Sequence, residues 1–267
     1  MKTKTNFTLL KNKTKSMLAV DFRRLFTSPL YYIMTAISIV IPILILVMTS
    51  MMDGTVTTNP QTGEPTVMEG FKNVWQIIGS VSGQGMSMSM DLTSMCNINM
   101  MYFLIAVVVC IFVSDDFRSG YCKNLFTVRA NKTDYVISKL VVGFVSGSSM
   151  IVGFFIGAML GGAIANLPFT LEGTTFVSVI MSMLSKIFLV TIFVSIYLLA
   201  SVFAKQKLWL SLILSSGIGM LFFTMIPIIT PLNATFVHLI MCAVGAPLFA
   251  VGFGWLSKLI LNKFDLI

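Results

Sequence analysis

Charge is what this chain has least of: of its 267 residues only 28 are Asp, Glu, Lys or Arg, and one is His. A soluble domain so poor in polar groups lacks the surface to cover its own core, and the mean hydropathy of +0.92 puts the chain in the membrane class. Other absences narrow the chemistry. No GxxxxGK[ST] loop occurs, so the chain has no phosphate cradle and is expected to bind no ATP itself. HExxH, GxSxG and the protein-kinase signatures are missing, and the glycine-serine cluster at 79–83 reads as a loop, not as a positioned catalytic serine. The single histidine, His238, has no partner by spacing and reads as a satisfied interface residue. Cys96, Cys110, Cys122 and Cys242 form no CxxC, which indicates neither zinc nor a disulfide framework; each reads as a small hydrophobe. No stacking motif or basic groove supports nucleic-acid binding.

What is present is apolar sequence in lengths that match a bilayer, which takes about 20 residues per helix. Six spans are expected: Leu30–Met52, Asn97–Ser114, Leu140–Ala165, Phe176–Ala204, Leu208–Ile229 and Phe236–Leu261. The predicted fold class is an all-α integral membrane protein of six transmembrane helices with an N-terminal interfacial amphipathic helix. With the N-terminus inside, 16 of the 18 Lys and Arg fall in cytoplasmic segments. Outside lies Lys72 with Asp53, Glu64, Glu69, Asp91 and Glu172, so the charge bias predicts a multi-pass cell-membrane protein with both termini cytoplasmic. The first apolar run starts only at Leu30 and lacks a small-x-small cleavage site, which predicts a retained helix and not a removed signal.

The N-terminal unit is 1–28, in which 16–27 places Leu18, Phe22, Leu25 and Phe26 at helical spacing with Arg23 and Arg24 opposite, a helix for lipid docking that Pro29 ends. The transmembrane unit, 29–267, carries an outer loop at 53–96. Phe71, Val74, Trp75 and Ile78 in that loop are expected to lie along the outer membrane surface. Met86, Met88, Met90 and Met95 allow soft Cu(I) ligation or adaptable apolar contact; the second is preferred in a chain holding 20 Met. Gly143, Gly147, Gly153, Gly157 and Gly161 repeat at helical spacing, a close-packing signal within one subunit or between two. Pro227 and Pro231 break the chain after the fifth predicted span, and Pro247 is placed to kink the sixth; with Lys186 the first two are candidate pathway residues. Lys186 lies inside the fourth predicted span, where it either lines a cavity or snorkels to the interface. The predicted spans hold no Asp or Glu, which argues against a proton- or sodium-driven carrier.

Against this background the segment 115–139 stands out, because it gathers eight charged residues between two spans: Asp115, Asp116, Arg118, Lys123, Arg129, Lys132, Asp134 and Lys139. Phe117, Tyr121 and Leu125 recur at i, i+4 and i+8, one apolar face suited to a groove of a cytosolic partner. Asn131 with Asp134 supplies a helix start with an acid in its first turn. The order of an acidic pair (Asp115, Asp116), Arg118, Gly120, Leu125, Lys132 and the Lys139-Leu140 pair resembles the coupling segment in the membrane subunit of type-2 ATP-binding-cassette exporters. Tyr121 stands where that family usually has Thr, and Arg129 where it usually has Pro. The resemblance implies a permease (peptide-export type) that moves a hydrophobic or amphipathic cargo such as a peptide, antimicrobial or lipid-like molecule. It implies docking of separate ATPase subunits at Asp115, Asp116, Phe117, Arg118, Gly120, Tyr121, Leu125 and Lys132. ATP and Mg would then sit in those partners, this chain would bind no cofactor, and it would dimerise with an identical or similar permease among membrane lipids. The competing readings are a non-transporting scaffold or channel, and a copper-handling permease.

Overall fold

The computed structural model describes residues 2–58, 65–67, 70–79, 97–127, 131–170, 174–223 and 226–263. Met86, Met88, Met90, Met95, Cys96 and Arg129 lie outside the described residues. The chain is helical in α1 (Lys2–Thr27), α2 (Pro29–Met52), α3 (Met100–Arg118), α4 (Tyr121–Thr127), α5 (Lys132–Ile164), α6 (Phe176–Ala204), α7 (Leu208–Phe223), α8 (Ile226–Ile229) and α9 (Phe236–Lys263). A small antiparallel hairpin pairs Val56–Thr58 with Pro65–Val67.

Five helices, α2, α3, α5, α6 and α9, are long and apolar enough to cross a membrane. The fifth predicted span, Leu208–Ile229, is described in two pieces, 208–223 and 226–229. Among the described residues it is helical over Leu208–Phe223 and again over Ile226–Ile229; the first piece alone, 16 residues rising about 1.5 Å each, covers about 24 Å against a hydrocarbon core of about 30 Å. Pro227 lies inside the short α8, and Pro231 follows just after its end. Elsewhere the polar boundaries move outward. α3 runs on through Asp115, Asp116 and Arg118, and α5 already begins at Lys132, so much of 115–139 is helical.

The glycines of α5 divide between two neighbours. A Cβ at Gly143 or Gly147 would meet Val194 or Val190 of α6 at 2.5 Å. One at Gly153 or Gly161 would meet Ser38 or Ile43 of α2 at 2.6 or 2.8 Å, and one at Gly157 would overlap the carbonyl of Ile39. The small-residue stripe thus seats α5 against the backbone of α2 and the valine side chains of α6 in its own chain, leaving no space for a side chain at these positions.

The segment 70–79 does not lie flat on a membrane surface. Phe71, Val74, Trp75, Ile77 and Ile78 are buried, and the methyls of Val74 press on Gly162. Backbone and indole N–H groups fix this plug: Val74 N donates to Pro168 O (3.2 Å), Trp75 Nε1 to Phe169 O (2.6 Å) and Ile98 N to Ile77 O (3.0 Å). An apolar face left on the surface instead would forgo its own burial, and the end of the bundle offers it a seat. His238 is partly exposed and its Nδ1 meets Thr235 Oγ1 at 2.9 Å, a local contact near the start of α9.

Candidate functional site

The expected apolar side of α1 is rotated in the structure. Met17 and Leu25 are buried with Asp21 between them at i+4, while Phe26 is exposed. Arg24 points inward with Asp21, not to the opposite side; only Arg23 of the arginine pair is fully exposed. A carboxylate placed in an apolar stripe needs partners, since unpaired burial of a charge costs far more than packing returns. Asp21 finds them on α5: Lys139 Nζ donates to its Oδ1 at 2.8 Å and Ser138 Oγ to its Oδ2 at 2.6 Å.

Lys139 is shared. Its ammonium also lies 2.7 Å from Asp116 Oδ2 at the end of α3, while Arg24 Nη1 reaches Asp116 Oδ1 at 2.6 Å and Asp21 Oδ1 at 3.6 Å. Tyr135 of α5 donates to Asp116 Oδ2 at 3.1 Å. Two carboxylates and two cations therefore close a neutral network that joins α1, α3 and α5. The side chains of Asp21, Asp116 and Lys139 are fully buried; that of Arg24 keeps 32% exposure. Aromatic faces complete the shell, with Phe112 at 4.3 Å from Lys139 Nζ and Tyr121 at 4.6 Å from the Arg24 guanidinium. Burial raises the Tyr121 phenol, and the nearby Asp21 and Asp116 raise it further. Burial likewise pushes the Cys122 thiol up to about 12, with the neighbouring Tyr135 hydroxyl opposing the shift.

Further bonds gather the remaining elements at the same end. Thr14 Oγ1 donates to Asp134 Oδ1 at 2.7 Å, tying α1 to the first turn of α5. Lys132 Nζ donates to Leu261 O at 2.7 Å, satisfying a carbonyl in the last turn of α9.

The expected docking residues separate accordingly. Asp116 and Phe117 are inside, committed to the network and the core. Asp115 and Arg118 are exposed, as are Ser119, Lys123, Asn124 and Thr127, while Gly120, Tyr121, Leu125 and Lys132 are half-buried. Phe117, Tyr121 and Leu125 do not share one helix face, because Gly120 at φ +72° turns the chain between α3 and α4. That left-handed conformation suits glycine best, which gives Gly120 a physical role in the motif. Sequence reasoning missed Asp21, Arg24, Tyr135 and Ser138. The legible signal for the first was an acid at the centre of the Met17-Asp21-Leu25 stripe.

Lys186 is buried as well, at 1% exposure. Its Nζ donates to the carbonyl and to Oγ1 of Thr230, both at 2.9 Å. Among the described residues no group of His, Cys, Asp and Glu is placed to hold a metal.

Fold and site together define an all-helical, membrane-embedded protein whose charged end is held by a buried ionic network. Compared with protein-family models, curated proteins and solved structures, the chain matches none.

Proposed function

We propose that this chain is the permease subunit of an ATP-driven exporter for hydrophobic or amphipathic cargo, working with separate ATPase subunits and a second permease. The observation that carries the reading is the network of Asp21, Arg24, Asp116 and Lys139, which makes 115–139 part of a braced end and not a slack loop. A loop that only sets topology needs no such bracing. In this reading the charged end faces the cytoplasm, as its excess of Lys and Arg favours. The exposed Asp115, Arg118, Ser119, Lys123 and Asn124 meet the partner. Closure of the ATPases displaces α4, the network carries the displacement to α1 and α5, and the glycine contacts pass it to α2 and α6. ATP and Mg are held by the partners, and the apolar spans favour a cargo of like polarity.

The test is copurification. In the full-length, affinity-tagged chain isolated from its host membranes, Arg118→Glu with Lys123→Glu should lower copurifying Mg-ATPase activity at least about ten-fold, which corresponds to about 1.4 kcal/mol of docking. Unchanged activity would count against this face. Absence of any ATPase from the wild-type preparation would favour a scaffold or channel instead.

A further inference from the structure

The ammonium of Lys186 sits inside the bundle. Among the described residues no carboxylate lies within 4 Å of it, and the ion pairs formed by Asp21 and Asp116 are at the far end of α3. An uncompensated cation at such a place is costly and marks a binding function more often than a packing one. Its surroundings are polar beyond what packing needs. Ser182 and Ser185, at i−4 and i−1 on the same arc of α6, are fully buried; among the described residues the Ser182 hydroxyl has no hydrogen-bond partner, and Ser185 has only the weakly bonding Cys242 thiol beside it.

The backbone around the ammonium is held firmly. Tyr102 donates its hydroxyl to Lys186 O at 3.1 Å, and Tyr197 donates to Tyr102 O at 2.9 Å. Gly79 packs over it, with its Cβ position 3.9 Å from Lys186 Nζ and 3.8 Å from Leu232. Two of the three ammonium protons go to Thr230, which ends α8 just before Pro231. Capping that carbonyl accounts for these two bonds. It leaves the third proton and the Ser182 hydroxyl without a partner among the described residues.

We propose that Lys186, with Ser182 and Ser185, is a binding site for the anionic head group of an amphiphile, a carboxylate or phosphate on an apolar tail, and that Thr230 occupies the ammonium while the site is empty. An incoming anion pairs the buried cation and accepts from the two hydroxyls, which converts the unbalanced charge into a hydrogen-bonded pair. The amphiphile's role as cargo rests on the exporter reading; the site itself does not.

Binding to the purified full-length chain in neutral detergent tests this without any ATPase, so its failure is separable from failure of the exporter reading. Thermal unfolding is followed with dodecanoate and with dodecanol, which share the tail and differ in the head. Wild type should bind dodecanoate at least about ten-fold more tightly than dodecanol. Lys186→Gln should collapse that preference to within about two-fold, and Thr230→Val, which removes one competing acceptor, should strengthen dodecanoate binding. Equal affinity of wild type for the two amphiphiles overturns the proposal even if Lys186→Gln does not fold, and so does a preference that survives in Lys186→Gln. Short-chain phosphatidylglycerol is added as a competitor to separate sources: displacement of dodecanoate supports the site with a membrane lipid as occupant, and no displacement supports it with a free amphiphile.

Discussion

Asp116→Ala is expected to destabilise the protein by about 3–5 kcal/mol, because it leaves Lys139 buried between aromatic rings with Asp21 as its remaining carboxylate and removes the acceptor of Arg24 and Tyr135. The attraction lost is only part of that cost. The larger part is the charge left without its full set of partners in an apolar setting. The same reasoning predicts a partial rescue: Asp116→Leu combined with Lys139→Met removes one charge of each sign and should recover about half or more of the loss, since well-packed apolar groups often replace a buried pair without penalty. Denaturation of the purified chain in detergent, carried through both single variants and the double, measures the coupling. Additive effects would show that the network does not act as a unit.

Asp21→Lys should have the second large effect, and it acts on one contact. It sets a third cation beside Lys139 at 2.8 Å and beside Arg24 at 3.6 Å, where a carboxylate now neutralises both. Repulsion at that range inside a low-dielectric site outweighs the burial of Met17 and Leu25 that otherwise holds α1 in place. The helix should come away from α5, and trypsin should cut at Arg23 and Arg24 at least about ten-fold faster than in wild type. Asp21→Asn, which keeps the shape and a hydrogen bond to Ser138, should fall between the two. A cleavage rate unchanged in Asp21→Lys would mean that α1 is held by lipid or detergent, as an amphipathic helix alone would be.

How far the sequence carried this reading depends on what signal each element sends. Long apolar runs were legible because burial in hydrocarbon demands length and composition together: Pro29–Met52 and Phe176–Ala204 come out within a residue of expectation. The glycine repeat announced a close approach without saying to what; its split between α2 and α6 is set by the three-dimensional path of α5. Of the candidate site, the local part was visible and the distant part was not. Asp116, Lys132 and Lys139 stood out as charges in an apolar chain, but their partners Arg24, Leu261 and Asp21 lie roughly a hundred residues away. Periodicity on one helix cannot supply such pairings, and it also placed Arg24 on the wrong side of α1. Phe71 and Trp75 failed for a related reason, because an apolar face reads the same whether lipid or the end of a bundle covers it.

The account depends on the charged end lying on the cytoplasmic side of the membrane, where an ATPase can reach it. The direct test is labelling with a membrane-impermeant maleimide in a chain whose native cysteines are replaced, with one cysteine introduced at the exposed Ser119 or at the exposed Thr55 of the opposite end. The account predicts that Thr55→Cys is labelled in intact cells and Ser119→Cys only after the cells are permeabilised. Labelling of Ser119→Cys in intact cells would contradict it.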